Sequence, residues 1–266
     1  MISSVSNPQI KRIRSLLQRK AREDSGVFFV EGIRLVAEAV QLQSPIETLI
    51  VAPDLLSSLF AKGIVAQAIQ ADIPILEVTP AVFETFSLKE GPQGLAAIVR
   101  QKWETLEQVV PGRELGWVAL EEVRNPGNLG AILRTCDAVG CAGVLLLGPT
   151  TDPYDPAAVR SGMGATFSQR LIRTDVETLI HWKQRHQLTV IGASDSAPTD
   201  YQAVSYPAPV VVFLGAEQQG LSTASRGVCD TVVRIPMIGR SDSLNLAVAT
   251  GVLLYEVFNQ HRNRKA

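Results

Sequence analysis

Apolar residues along this chain change rhythm at regular intervals, and the changes mark out alternating strands and helices. "GVFFVEG" (residues 26–32) is a short apolar run between glycines and predicts a buried strand. "IRLVAEAVQ" then predicts a helix, "IETLIVAP" a strand, "SSLFAKGIVAQAIQA" a helix and "IPILEVT" a strand, and "QGLAAIVR" (93–100) closes the set. Ahead of them, Asn7-Pro8 opens a first helix. The asparagine can cap it, the proline fits its first turn, and Ile10, Ile13, Leu16 and Leu17 recur at helical spacing. Residues 1–100 therefore read as a small α/β domain. "QKWETLEQVVPGRELG" (101–116) breaks the rhythm with charge, proline and glycine and is the expected linker.

A second alternation fills 117–266. It runs through "WVALEEV", "NLGAILRTCDAVG", "GVLLLGP", a helix around "PAAVRSGMGA", "QRLIRT", "VETLIHWKQRHQ", "LTVIGAS", "PVVVFLGAE" and "DTVVRIPM", and ends in a helix from about Leu244. Runs such as "VVVFLG" are apolar without alternation, as expected of strands covered on both faces of a mostly parallel sheet. Both domains are thus α/β.

Composition changes this picture little: 46% hydrophobic and 19% charged residues is globular, and a net charge of −1 announces no polyanionic partner. Local charge is less even. Residues 1–22 hold Lys11, Arg12, Arg14, Arg19, Lys20 and Arg22 and no acid, which is either a solvated helix face or a contact surface. The three cysteines follow no metal-binding spacing and cannot all pair, which fits a reducing compartment and argues against structural zinc. No stretch has the form of a signal peptide or a membrane span, so a soluble cytoplasmic protein is expected.

Ligands in open parallel sheets collect beyond the carboxyl ends of strands, and three such ends carry unusual residues. In "EEVRNPGNLGAILRT" (121–135), Asn128 is either a helix cap or a polar site residue. Arg134, among apolar neighbours, calls for a buried ion partner or a ligand. "VVVFLGAEQQGLS" (210–222) sets Glu217 between Gly215 and Gly220, where a backbone could approach a ligand. "RIPMIGRSDSLNLAVATGVLLYE" (234–256) places Ser243 and Asn245 in a bend before the last helix, again as caps or as part of a pocket. Three polar, glycine-bearing bends at comparable strand ends of one domain suggest a single site.

Read together, "NPGNLGAILRTCDAVG" (125–140), "FLGAEQQGLS" (213–222) and "IPMIGRSDSLNLAVATGVLLYE" (235–256) resemble the SpoU (TrmH-like) branch of the SPOUT RNA methyltransferases. "RSGMGATF" (160–167) is similar to that family's small-residue helix, and the N-terminal stretch resembles its substrate-binding domain, a fold like ribosomal protein L30e. The resemblance implies an enzyme that transfers a methyl group from S-adenosylmethionine (AdoMet) to a ribose 2′-hydroxyl, with 23S ribosomal RNA as the expected substrate. It also implies a deep trefoil knot in the C-terminal domain, which no general rule of chain topology predicts, and a homodimer with shared active sites and no metal. By the same resemblance Asn128, Arg134, Glu217, Ser243 and Asn245 are the catalytic set. Leu214, Gly215, Glu217, Gly220, Ile235, Pro236, Met237, Leu244, Asn245 and Ala249 line the cofactor pocket, and Lys11, Arg12, Arg14 and Arg19 meet RNA. A departure from the family's "DPGN" is Asn125 before Pro126. The rival readings are a non-catalytic RNA-binding or ribosome-assembly protein on the same fold, and a tRNA 2′-O-methyltransferase.

Overall fold

A computed structural model of the chain describes residues 1–112 and 114–263. The strands in chain order are β1 (Val27–Glu31), β2 (Ile46–Val51), β3 (Ile75–Glu77), β4 (Leu95–Arg100), β5 (Gly116–Glu121) and β6 (Gly143–Leu147). They continue with β7 (Arg170–Thr174), β8 (Thr189–Ala193), β9 (Thr199–Asp200), β10 (Val210–Leu214) and β11 (Thr231–Arg234). The α-helices are α1 (Pro8–Ser15), α2 (Arg19–Ser25), α3 (Ile33–Gln41), α4 (Leu59–Gln70), α5 (Pro80–Glu84) and α6 (Pro126–Val139). After these come α7 (Pro156–Gly162), α8 (Ala165–Ser168), α9 (Val176–His186), α10 (Thr223–Val228) and α11 (Leu246–Asn263).

The chain forms two compact units, one of Met1–Gln101 with Tyr154–Phe167 and one of Lys102–Pro153 with Ser168–Ala266. In the first unit, the sheet order is β1-β4-β2-β3. The pairs β1/β4 and β2/β4 are antiparallel, and β2/β3 is parallel. Asn7 caps α1 by accepting from the Gln9 amide at 2.8 Å. The stripe expected of that helix is buried: Ile10, Ile13 and Leu16 pack with Phe29, Phe83 and Phe86. Residues 154–167 lie far along the sequence yet belong to this unit, where the Tyr154 ring sits 4.6 Å from that of Phe28. Arg22 is fully buried; it donates to the Leu16 carbonyl at 2.9 Å and pairs with Asp155 at 3.1 Å. It is therefore a structural residue of the interior and leaves the basic surface expected of residues 1–22.

The second unit is built on a seven-stranded sheet ordered β7-β6-β5-β10-β8-β11-β9. Every described strand pair in it is parallel. β5, β6 and β10 are buried along nearly their whole length, as continuous apolar runs require when helices cover both faces. Trp117, Leu145, Ile172, Trp182, Val211 and Phe213 form the centre of one core. The expected linker is ordered where it is described. Glu104 bridges to Ile172 on β7 and its carboxylate binds Arg170 at 2.6 Å.

Strand order places the site. From β5 the chain steps outward through β6 and β7, then returns to build the other half of the sheet, and β10 fills the place between β5 and β8. The carboxyl ends of β5 and β10 are thus neighbours where the direction of strand addition reverses, the position at which parallel sheets open a crevice.

Candidate active site

Three bends meet at this crevice. After β5 the chain turns into α6 at 122–125. The cap of α6 is Asn125, whose Oδ1 accepts from the Asn128 amide at 3.1 Å, while Pro126 occupies the first turn. The capping role open to Asn128 is therefore already filled, and its side chain is released. Its Nδ2 donates to Glu217 Oε1 in the bend after β10, and its Oδ1 accepts from Asn245 Nδ2 at 3.1 Å. Asn245 serves twice, since its own Oδ1 caps α11 through the amides of Ala247 (2.9 Å) and Val248 (3.4 Å). Here one side chain both caps a helix and reaches across to a second bend. Glu217, Asn128 and Asn245 form one relay across segments up to 117 residues apart in sequence.

The β10 bend is pinned. Ala216 and Gly220 exchange two backbone hydrogen bonds at 2.8 and 3.0 Å. Gly220 has a φ of +66°, a backbone state that glycine tolerates best. A Cβ added to Gly215 would lie 1.9 Å from the Gly220 carbonyl carbon and 2.1 Å from the Leu221 nitrogen, so no side chain fits there. Glu121, at the tip of β5, accepts from the Ser222 amide at 2.9 Å and fastens the far side of this bend. Sequence reading quoted Glu121 without assigning it a role; its place at the end of a strand next to a glycine loop was the available signal.

The remaining expected residues distribute as follows. Leu214 and Gly215 are buried, Ile235, Leu244 and Ala249 are half-buried, and Pro236, Met237, Gly220 and Ser243 are exposed. Arg134 is exposed, and none of the described residues pairs with it. The buried ion pair considered for it is not formed. The relay does not include Arg134 either. It lies six residues beyond Asn128 on α6, about 9 Å along the axis and about 120° away round the helix.

On α1, Lys11 is exposed, Arg12 pairs with Glu47 at 2.6 Å, and Arg14 is half-buried and donates to the Val5 carbonyl. Arg19, just beyond, pairs with Glu23 at 2.8 Å. Arg12 and Arg100 hold the Glu47 carboxyl below the usual carboxylate range, the Arg12 hydrogen bond contributing most. The N-terminal basic run is thus partly neutralised by acids that lie beyond it in sequence.

At the carboxyl end of β8, between β10 and β11, sits a polar group that sequence reading passed over. Ser194 Oγ lies 3.0 Å from Ser196 Oγ and accepts from Arg226 at 3.1 Å. No group of His, Cys, Asp or Glu among the described residues could hold a metal ion, and no helix there is long and apolar enough to cross a membrane. All three cysteines are free, and burial pushes the Cys229 thiol up to about 11.

Comparison with known proteins places this geometry. Residues 117–255 match the SpoU rRNA Methylase family, and residues 7–97 match the MRM3-like substrate binding domain. The chain is 28% identical to a 23S rRNA (uridine(2479)-2′-O)-methyltransferase of Streptomyces viridochromogenes, across 96% of this chain and 90% of that one. It is 27% identical to the 23S rRNA (guanosine(2553)-2′-O)-methyltransferase RlmP of Bacillus subtilis, across 96% and 98%. Among solved structures, the AdoMet-bound rRNA methyltransferase from Sinorhizobium meliloti superposes with a TM-score of 0.88 at 36% identity, covering 97% of each chain.

Proposed function

The chain belongs to the SpoU rRNA methylase family, and on that premise we propose that it methylates a ribose 2′-hydroxyl of 23S ribosomal RNA with AdoMet as methyl donor. The single observation that carries the reading is the Glu217–Asn128–Asn245 relay, which draws three strand-end bends into one crevice. A non-catalytic RNA-binding protein would have no use for such a convergence, and a tRNA enzyme would have no evident need of the substrate-binding unit matched at 7–97.

The residues present suit an adenosine-bearing cofactor. Gly215 leaves main-chain groups uncovered by any side chain, Gly220 turns the bend, and Ile235 and Leu244 offer further backbone. Leu214, Pro236, Met237 and Ala249 supply apolar walls around them. When bound, AdoMet supplies an electrophilic methyl group on a sulfonium. The protein's own work is to align the ribose oxygen with that methyl and to remove a proton. Alignment alone can contribute about 7 to 11 kcal/mol at its limit. Asn128 and Asn245 hold the polar side of the crevice, and Ser243 adds a hydroxyl at its rim. Arg134 carries a fork suited to bidentate phosphate contact and to stabilising a developing alkoxide.

The finer assignments rest on this reading. Residues 1–100 are the RNA-binding part, joined through 101–116 to the catalytic part at 117–266, with Lys11, Arg12, Arg14 and Arg19 meeting phosphate. The C-terminal segment is knotted, which the insertion of β10 between β5 and β8 supports. The working form is a homodimer in the cytoplasm, where a second copy brings Arg134 to the relay of the first. Mapping ribose methylation on ribosomal RNA and tRNA, from cells with and without the protein, tests the function. A 2′-O-methyl mark on 23S rRNA should vanish with the protein, and an unchanged map rejects the reading.

A further inference from the structure

Much of the basic charge that opens the first unit is spent inside that unit. Arg12 and Arg19 pair with Glu47 and Glu23, and Arg22 is buried against Asp155. Arg34, Lys89 and Arg160 differ: all three are exposed, and none has an ion partner among the described residues. They gather round the turn from β1 into α3. Lys89 folds over that turn, its Nζ 2.6 Å from where a Cβ on Gly32 would stand, and it lines one small cavity with Arg160. The frame beneath is fixed. Glu31 is buried and accepts from Ser87 Oγ and, at 2.7 Å, from the Leu88 amide. Gln93 Oε1 accepts from the Ile33 amide at 3.4 Å.

Beside this turn a groove of about 430 Å³ runs between α3 and α4, lined by Ile33, Arg34, Glu38, Gln41 and Phe60 among others. That volume lies within the range of sites that hold small organic groups. Phe60 stands in the first turn of α4, which Ser58 caps, and its ring is 56% exposed. An aromatic face on one wall and an unpaired guanidinium on the other suit a nucleotide, whose base stacks while its phosphate takes the fork. Glu38 and Gln41 add polar groups for the edge of the base. An apolar protein segment would leave the three cations unused.

We propose that the groove between α3 and α4 seats an unpaired nucleotide of the RNA, its base against Phe60 and the backbone phosphates on Arg34, Lys89 and Arg160. The proposal rests on the methyltransferase reading above and adds a contact surface to the one on α1. Stacking on Phe60 tolerates any base, so the groove selects for an unstacked nucleotide before it selects for sequence.

The test titrates the full chain with deproteinised 23S ribosomal RNA from cells lacking the protein, at several salt concentrations. Phe60→Ala should weaken binding by about tenfold and leave the log–log salt slope unchanged, since stacking releases no counterion. Phe60→Trp, which keeps a ring, should restore the affinity. Arg34→Gln, Lys89→Gln and Arg160→Gln should each flatten the slope by about 0.7 to 0.9. Lys62→Gln is the control, because Lys62 lies about 200° round α4 from Phe60; it should bind as wild type. Calorimetric AdoMet affinity should be unchanged in every variant, and ultraviolet cross-linking should join the peptide that holds Phe60 to RNA. Wild-type affinity and slope in both Phe60→Ala and the triple glutamine variant overturn the proposal. So does a loss of methylation on ribosomal particles with none on bare RNA, which would give the groove to a protein partner. Either result leaves the methyltransferase standing as long as the wild type takes up AdoMet and the 2′-O-methyl mark depends on it. A wild-type protein that binds neither AdoMet nor ribosomal RNA removes both.

Discussion

Asn125 and Asn128 stand three residues apart, and the sequence offered Asn128 as the helix cap, whereas the cap is Asn125. The structure divides the tasks, with Asn125 closing the helix end and Asn128 freed for the relay. That an asparagine caps this helix was legible because capping is local, a side chain and an amide two or three residues away, but which asparagine does so was misplaced by three residues. The relay was not, because nothing in a sequence states which amide will face Glu217 from 89 residues off. The resemblance of the three blocks supplied the residue names, whereas only coordinates supply their hydrogen bonds. Gly215 was legible for a related reason, since a glycine just after a buried strand invites close approach. Its constraint is severe, with a Cβ falling within 2.1 Å of two backbone atoms. Gly215→Ala should therefore displace the whole 215–222 bend and weaken AdoMet binding by tenfold or more, about 1.4 kcal/mol or above. Isothermal calorimetry measures this directly, and an unchanged affinity would mean that the bend does not carry the cofactor.

Elements with a strong rhythm were read correctly. α3 spans Ile33–Gln41, as "IRLVAEAVQ" predicts, and every strand expected in the second unit is present. What escaped were short pieces, namely α2, α5, α10 and the two-residue β9. A helix of five to seven residues completes barely two turns, too few for an apolar stripe to repeat. Such elements are fixed by what they dock against. The β8 end of the sheet depends on a contact of this kind: Asp230, just past α10, accepts from the Val190 amide at 2.8 Å and from Lys183 of α9 at 2.6 Å. Burial raises the Asp230 carboxyl, but the Lys183 and Val190 hydrogen bonds outweigh it and leave the pKa lowered. A depressed acid contributes stability above its unfolded value near 4, and loses it as pH falls through the folded value. The side chain is 46% exposed, so the contribution is at most about 1 kcal/mol. Asp230→Asn should lower the melting temperature by about 1 to 3 °C at pH 7, and the gap should close once the pH falls below the depressed folded value. A gap that persisted at low pH would assign the loss to packing instead of charge.

At the scale of the whole molecule the alternation announced two α/β units and a parallel sheet, but neither strand order nor the route of 154–167 into the first unit could be read from it. Both depend on pairing between segments far apart, for which periodicity carries no signal. Oligomeric state is a further property of this scale. On α11, Val248 and Tyr255 are about half exposed. Seven residues apart, they fall within about 20° of each other round the helix and make one outward apolar stripe. Met237 and Ile238 in the preceding bend are exposed as well, and Arg134 has no partner in its own chain among the described residues. These features are mutually consistent if two copies meet through α11. Tyr255→Asp places a charge in that stripe, where a dimer would bury it unpaired at a cost of several kcal/mol. Light scattering should then report the 28.7 kDa chain as a monomer, and methyl transfer should fall while the isolated fold melts within a few degrees of wild type. Mixing Asn128→Ala with Arg134→Ala, both of which retain Tyr255, separates the alternatives. Partial recovery of activity would mean that relay and arginine come from different copies, whereas additive loss would mean that each chain must supply both.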